Sequence, residues 1–383
     1  MRIAIVGGGP AGLFFASLMK RHGLARDVRI VERDPEGATY GWGVVLSDVA
    51  LNFVKDVDAA LHAALTEGQV VFDRMRIVHR GQEVILEHNT FWRMARLDLL
   101  RILQSSCRDA GVRLEFGRRI ADRAELDALA ADADLVVAAD GAHSAVRTLL
   151  AEHFGPELDV RPNWLAWYGT RQRFDALSLV FRPCAHGLLI AHAYTYTPTL
   201  STFLVEADPD TFVAAGLGAM SEADSLHYCE RVFADDLGGE PLLSNRSTWS
   251  RYAIVRNRRW HHGKVVLLGD ALRTGHPSIG SGTRLAMQDA IALFRAFEHA
   301  GADVPAALCE FERTRRPGSD GLQAAAVRST EWYETVRSRL HLPPVAFAYD
   351  YMRRTGRVSH EDLRARDPAL VAAYEALPPG ERG

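Results

Sequence analysis

The run Ile3-Ala4-Ile5-Val6-Gly7-Gly8-Gly9-Pro10-Ala11-Gly12 constrains this chain more than any other stretch. Four apolar residues without a turn former read as a buried parallel strand. Glycines follow at 7, 9 and 12 in the G-x-G-x-x-G spacing, and Leu13 to Lys20 reads as a helix. Gly7 permits a tight turn, Gly9 lets the backbone approach a pyrophosphate, and Gly12 lets the helix pack closely on the strand. Pro10 and Ala11 belong to the same cradle. The helix N-terminus adds unpaired N–H groups and the positive end of its dipole. A second strand, Val28 to Val31, ends at Glu32, twenty residues after Gly12. A carboxylate there can accept hydrogen bonds from a ribose diol. The glycine spacing alone is weak evidence. Strand, turn, helix, strand and acid together favour a dinucleotide site over a glycine-rich turn followed by a surface acid.

The chain has 383 residues, enough for about two to three domains. Apolar residues make up 48% of it, so a large core is available and global disorder is excluded. A net charge of −3 argues against nucleic acid as a partner held by bulk charge. The four cysteines are scattered and lack metal-ligand spacing, as in a reduced cytoplasmic protein, and no metal site is expected. The chain enters the glycine motif at once, which reads as a core strand and not a signal peptide. No apolar run approaches membrane-spanning length.

Further along, Gly41-Trp42-Gly43-Val44-Val45 suggests a backbone brought close to something flat, or else a buried loop around a core tryptophan. Met75 to His79 and Glu83 to Leu86 read as a hairpin that enters a second sheet. Arg96 opens an amphipathic helix with Leu99, Leu100, Leu103 and Cys107 on one face, ended by Gly111. Leu135 to Ala139 is another buried strand and runs into Asp140-Gly141. From about 161 to 255 the pattern is that of an antiparallel sheet with one helix, N-capped by Ser221. Lys264 to Leu268 returns to the first pattern and ends at Gly269-Asp270. A helix is expected from about 282 to 299, another from about 304 to 315 that stops before Pro317, and a long one from about 319 to 340. The expected fold class is α/β: a Rossmann-like nucleotide domain with an inserted antiparallel β-sheet domain and C-terminal helices. The nucleotide domain takes 1–72, 93–160 and 256–316, the substrate domain 73–92 and 161–255, and the C-terminal helices 317–383.

The opening glycines, Asp140-Gly141 and Gly269-Asp270 stand in an order and spacing that resembles the class A FAD-dependent aromatic hydroxylases, with the fold of p-hydroxybenzoate hydroxylase. The resemblance covers roughly residues 1 to 340. It implies a non-covalent FAD, with NADH or NADPH as reductant, O₂ as co-substrate and hydroxylation of an electron-rich ring. By this resemblance Gly7, Gly9 and Gly12 cradle the pyrophosphate, and Glu32 holds the adenosine ribose with Arg33 near it. Arg96 contacts the cofactor, Asp140, Gly141 and Arg147 match a motif that serves FAD and nicotinamide, and Asp270 accepts from the ribityl chain. Gly43 and Val44 flank the flavin. Gly280, Gly282 and Thr283 open the next helix, whose N–H groups would stabilise negative charge on the reduced flavin; an ordinary glycine-rich cap is the alternative.

The segments around Trp42, Trp167-Tyr168-Gly169-Thr170, Ala191-His192-Ala193-Tyr194, Ser201-Thr202-Phe203 and Ser278 to Thr283 resemble one subgroup more closely. It contains salicylyl-CoA 5-hydroxylase, the flavin half of anthraniloyl-CoA monooxygenase and the tryptophan hydroxylase of violacein biosynthesis. Ser329 to Glu334 and Arg357 to Arg364 resemble the CoA-thioester members, which implies an aromatic substrate carried as a CoA thioester. Arg251, Arg256, Arg258, Arg259, His261, His262 and Lys264 crowd one stretch that could anchor CoA phosphates. A solvated basic edge or a site for NAD(P)H phosphates are the alternatives. Near the ring, His192 and Tyr194 share one strand face, and His276 follows Asp270. Either histidine could take a proton from a phenol, aniline or indole as the ring reacts, or these side chains only shape the site. A free tryptophan- or indole-type substrate, a non-oxygenating flavin reductase and a non-catalytic flavoprotein are the rival readings.

Overall fold

The computed structural model describes residues 1–39, 41–67, 71–277, 280 and 282–382. Its first sheet is six-stranded, in the order His261–His262, Val265–Leu267, Leu135–Ala138, Arg2–Val6, Asp27–Val31, Arg113–Glu115. All neighbours are parallel except the outermost pair, His261–His262 with Val265–Leu267. Leu135–Ala138 is buried along its whole length, as a central parallel strand covered on both faces must be. The helices Pro10–Arg21, Arg96–Asp109 and Gly282–Ala300 pack with it around one apolar core that includes Phe14, Leu103 and Phe294.

The second sheet has eight strands. Its path runs Leu242–Leu243, Pro156–Thr170, Leu200–Ala207, Gly187–Thr197, Leu177–Cys184, Met75–His79, Gln82–Leu86, with Ser250–Asn257 paired beside Pro156–Thr170. It is antiparallel except where Met75–His79 joins Leu177–Cys184 in parallel. The expected hairpin thus forms the far edge of this sheet. Period-two alternation sorts its side chains. Leu189, Ala191, Ala193, Phe203 and Val205 turn one way, onto the helices Pro209–Ala214 and Glu222–Val232. Ile190, His192, Tyr194, Thr202 and Leu204 turn the other way. There the sheet meets the C-terminal helices at one end and leaves a cavity at the other. A small sheet of Gly43–Ser47, Phe91–Ala95 and Val71–Phe72 closes that side.

Three expectations are corrected. The strand expected from Trp164 begins at Pro156, and a register shift between Val160 and Trp164 accommodates Pro162, which has no N–H to give a ladder. The insert carries the helices Pro209–Ala214, Glu222–Val232 and Ala234–Leu237 where one helix was expected. The two helices expected on either side of Pro317 are one, Val304–Glu334, followed by a 3-10 turn, Val336–Arg339. An interior proline costs ~3 kcal/mol, but both halves of the helix are held. Arg315 donates to Asp289 (2.9 Å) and Arg316 to the Arg258 carbonyl (3.0 Å). Beyond the proline, Gln323 is buried and donates to the carbonyls of Val255 and Thr274, both at 2.9 Å. Phe311 on one side and Trp332 and Tyr333 on the other are buried, at about 1.5–3 kcal/mol for each fully buried large side chain. Among the described residues, no helix is long and apolar enough to cross a membrane.

Candidate active site

One end of the crevice is a cavity of about 220 Å³ lined by Gly7, Gly9, Glu32, Arg33, Arg96, Asp140 and Gly141. Gly7 has φ +105°, and a Cβ there would lie 2.3 Å from the Ala139 carbonyl oxygen. A Cβ on Gly12 would lie 2.4 Å from the Gly7 carbonyl oxygen, so strand, turn and helix touch backbone to backbone. Gly9 differs: apart from its own chain neighbours, a Cβ there would meet no atom of the described residues within 4 Å. The space above it is left for something other than protein. The helix beginning at Pro10 has no side-chain cap and no acid in its first turn, so its N–H groups and dipole remain available to an anion. Glu32 accepts from the backbone N–H of Gly8 (2.6 Å) and of Asp34 (2.9 Å), which folds the acid over the glycine turn. Arg33 is exposed at the rim beside Asp34 (3.7 Å).

Asp140 ends its strand and caps the short helix after it. It accepts from the Ser144 hydroxyl (2.5 Å) and the N–H groups of Ala145 (2.7 Å) and Val146 (3.3 Å). Burial pushes its carboxyl above the usual range, and those hydrogen bonds oppose the shift. Arg147 is buried and donates to the carbonyls of Ala271 (3.0 Å) and Ala142. It therefore ties the Asp140-Gly141 loop to the Gly269-Asp270 loop.

Arg96 lines both this cavity and a larger one of about 640 Å³, so the two form one crevice. Asp270, on the 3-10 turn Gly269–Ala271, is exposed to the crevice rather than to open solvent. Enclosure by protein raises its pKa; Arg96 and Arg273 oppose this and Asp289 adds to it. The same enclosure lowers that of Arg96, against the pull of Asp270 and Tyr194.

The larger cavity runs between Gly43-Val44-Val45 on one side and Pro277, Gly280, Gly282 and Thr283 on the other. Ser278, Ile279 and Ser281 of the expected helix-opening motif lie outside the described residues. The Gly43 peptide is clamped: its N–H donates to Thr202 Oγ1 (3.0 Å), and its carbonyl accepts from the Tyr194 hydroxyl (2.9 Å). A Cβ on Gly43 would sit 2.5 Å from the Tyr196 ring. Trp42 lies against Gly169 and donates from Nε1 to the Trp167 carbonyl (3.3 Å), forming a wall of the cavity. Burial pushes the Tyr194 hydroxyl up to about 12.

The floor is the sheet face carrying Leu165, Trp167, Leu177, Leu179, His192, Tyr194, Thr202 and Leu204. Behind His192 lies a residue that the sequence reading passed over. Glu206 is 0% exposed and faces His192 Nε2 at 3.2 Å. Its other oxygen accepts from Asn163 Nδ2 at 2.7 Å. The signal was available: in Ser201-Thr202-Phe203-Leu204-Val205-Glu206-Ala207, period two puts the acid on the face of Thr202 and Leu204. His276 does not line the cavity but is buried between Tyr252 (ring centroids 5.4 Å) and Tyr333 (6.5 Å). Burial pushes its pKa down to about 4, with Glu206 opposing and His192 and Arg161 adding, so the imidazole is neutral near pH 7.

The basic stretch divides: Arg259, His261 and His262 line a separate surface cavity of about 670 Å³ with Arg313 and Arg316, and the rest are spread over other contacts. The Arg251 guanidinium lies 5.6 Å from the Trp164 ring centroid, and Lys264 donates to the carbonyls of Ala130 (2.7 Å) and Ala133 (2.8 Å). His262 stacks on His153 at 3.6 Å, and His261 lies 3.7 Å from Glu312. None of the seven lines the crevice. Ser250 and Tyr252 do line it, so period two turns Arg251, between them, away.

Residues 1–322 match the family model described as FAD binding domain. Over 97% of its length the chain is 38% identical to a salicyloyl-CoA 5-hydroxylase of Streptomyces sp, covering 72% of that protein. It is 36% identical to the 3-hydroxy-4-methyl-anthranilyl-[aryl-carrier protein] 5-monooxygenase of Streptosporangium sibiricum, over 97% of this chain and 99% of that one. The chain belongs to the FAD-dependent aromatic hydroxylases. The hydroxylase is also 36% identical to the protodeoxyviolaceinate monooxygenase of Chromobacterium violaceum, over 92% and 94% of the two chains. Its fold matches a tetrameric form of 2-methyl-3-hydroxypyridine-5-carboxylic acid oxygenase with a TM-score of 0.70, at 19% identity over 95% of each chain. FAD is its cofactor and NAD(P)H its reductant, and the open space over Gly9 and the uncapped helix suit the FAD pyrophosphate.

Proposed function

We propose that this hydroxylase acts on an aromatic ring delivered as a thioester, on coenzyme A or on a carrier protein. The observation that carries the reading is the shape of the larger cavity. It has a flat apolar floor on the sheet, and exposed lining residues, Asn245, Arg246, Thr248 and Ser250, mark its rim. Arg354 also lines it, with its guanidinium 3.6 Å from the centroid of the Tyr351 ring. Such a rim suits the phosphates of a long carrier arm, which arginine binds through forked, charge-assisted hydrogen bonds. The arm then supplies remote binding energy to position a small ring. Two relatives carry thioester substrates in their names.

In this reading Gly7, Gly9, Pro10, Ala11 and Gly12 hold the FAD pyrophosphate. Glu32, with Arg33, holds the ribose, Asp140 and Gly141 border the nucleotide, and Arg96, Gly269 and Asp270 meet the linker between the two cavities. Gly43, Val44, Gly280, Gly282 and Thr283 border the flavin ring. When bound, FAD supplies the two-electron chemistry that takes reducing equivalents from NAD(P)H and activates O₂. The apolar floor, Leu177, Leu179 and Leu204, orients the aromatic ring and excludes water. His192 accepts the proton of the ring hydroxyl or amine. With Nε2 turned to Glu206, Nδ1 is the nitrogen left to take it. The Tyr194 hydroxyl is committed to the Gly43 carbonyl, so Tyr194 positions the flavin-side loop.

The test is coupled turnover of wild-type holoenzyme on salicyl- and anthraniloyl-type CoA thioesters, the free acids and tryptophan. Hydroxylated thioester formed in step with NAD(P)H consumption is expected. Coupled hydroxylation of a free acid or an indole, with none on any thioester, overturns the reading. If thioesters are turned over, Arg246→Gln with Arg354→Gln raises KM for the thioester at least about ten-fold, a loss of about 1.4 kcal/mol, while KM for the nicotinamide stays unchanged.

A further inference from the structure

We infer that Glu206 is a positioning residue for oxygen transfer. Held by Asn163, it fixes His192 in the one tautomer that can accept a proton from the aromatic substrate. The inference rests on His192 being the proton acceptor, as read above.

The geometry is that of a carboxylate–imidazole pair with a third group behind it. Glu206 has no solvent exposure, and a buried carboxylate is costly unless its oxygens are satisfied. Both are: Oε2 faces His192 Nε2 at 3.2 Å, and Oε1 takes a hydrogen bond from Asn163 Nδ2 at 2.7 Å. Burial alone would push this carboxyl up. The hydrogen bonds from His192 and Asn163, with the charge His276 carries only once protonated in acid, more than offset it, and the group ends below its usual value. An ionised carboxylate only accepts hydrogen bonds. Nε2 must therefore carry the ring proton of neutral His192, and the lone pair is left on Nδ1.

The surroundings keep the pair in place. His192 pairs with Leu204, and Ile190, two residues before it, pairs with Glu206, so both side chains rise from one face of neighbouring strands. The buried Tyr333 ring lies over His192, with centroids 5.1 Å apart. Of the charged and titratable groups around Glu206, His276 is neutral near pH 7, and Arg161 is bound to Glu334 (2.5 Å) and Asp159 (2.8 Å). Among the described residues no lysine or arginine has a hydrogen bond or salt bridge to Glu206; its side-chain partners are His192 and Asn163. When the ring reacts, the proton leaves the substrate O–H or N–H and bonds to Nδ1. The imidazolium so formed faces the Glu206 carboxylate, and the proton passes to solvent once product leaves. Without Glu206 nothing selects the tautomer and nothing faces the positive charge, which is the logic of an acid–base histidine oriented by a third group.

The experiment is a double-mutant cycle on holoenzyme, with salicyloyl-CoA or whichever aromatic the turnover comparison selects. Glu206→Gln, His192→Ala and the double variant are compared with wild type. The readouts are FAD content, KM for the aromatic, kcat, and product formed per NAD(P)H consumed. Glu206→Gln is expected to keep FAD content and KM within about two-fold while product per NAD(P)H falls about 10- to 100-fold, as for a weakened acid–base group. Because Glu206 acts through His192, the double variant should be no worse than His192→Ala alone. Asn163→Ala gives a second handle should Glu206→Gln fold poorly, with a smaller loss in the same ratio. Three results overturn the inference: wild-type coupling in Glu206→Gln, or in Asn163→Ala when that variant alone folds, or independent, multiplying losses in the double variant. If His192→Ala itself hydroxylates normally, the proton-acceptor reading falls and this inference with it. If His192→Ala is impaired and Glu206→Gln is not, only this inference falls.

Discussion

The pyrophosphate end of the crevice is built largely by loops at strand ends, among them Gly7 to Gly9, Glu32 to Thr39 and Asp140 to Ala145, while the ring end rests on alternate residues of several strands. At the first end backbone does the work. Glycines bring strand, turn and helix into contact, and the helix terminus offers its N–H groups. At the second end side chains do the work, and they meet only because the sheet register aligns them: Leu179 with His192, and His192 with Leu204. A loop site is local in sequence and fails when one backbone clash is introduced. A sheet-face site is spread over the chain and fails one function at a time.

The largest expected effect comes from attacking the loop end. Gly12→Val forces a β-carbon into the space where a Cβ would already lie 2.4 Å from the Gly7 carbonyl oxygen. FAD content should fall at least about ten-fold, equivalent to 1.4 kcal/mol or more, with all oxidation of NAD(P)H lost in proportion. Flavin absorbance of the purified variant checks this, and normal FAD content would show that the close contact is dispensable. Next is Glu32→Ala, which removes charge-assisted hydrogen bonds worth about 1.5–3 kcal/mol each. FAD affinity measured by fluorescence titration should weaken by about one to two orders of magnitude. Unchanged affinity would mean that the ribose does not sit on this acid and that Glu32 only braces Gly8 and Asp34.

The smallest effect is expected where the two ends meet. Asp270 has its carboxyl pKa raised by enclosure, so its ionised form costs the apo protein stability. Its contribution is fully present below the unfolded-state pKa of about 3.9 and is lost as pH rises through the higher folded value. Asp270→Asn, which mimics the protonated acid, should therefore raise the Tm of the apo protein at pH 7. That gain should vanish as pH is lowered through the carboxylate range. In the holoenzyme the same substitution should loosen FAD. An apo Tm gap that does not change with pH would remove the electrostatic explanation.

The loop end was legible because its physics is local. Glycine spacing, an acid after the second strand and two Asp-Gly pairs state the geometry within a few residues each. At the ring end, period two placed His192 and Tyr194 on one face, but the strand-to-strand register is not written in any one strand. Glu206 therefore stayed hidden although it stands alone among apolar neighbours. The basic stretch from Arg251 to Lys264 does not act as one cluster at the crevice, for the same reason. Closeness in sequence spread it over a strand whose faces alternate and over the edge of the other sheet. Pro317 misled because a local helix-breaking cost was outweighed by tertiary burial along Phe311, Gln323 and Trp332.

The central claim is that proton transfer at the ring depends on one side chain of the sheet face while cofactor binding does not. The most direct measurement reduces the flavin of His192→Ala holoenzyme anaerobically with NAD(P)H. Saturating aromatic substrate is then mixed with O₂, and product per flavin reoxidised is counted against wild type in a single turnover. The account predicts wild-type FAD content and flavin reduction, with product yield reduced about a hundred-fold, the lower end of the contribution of an acid–base group. Wild-type product yield in the variant would contradict it.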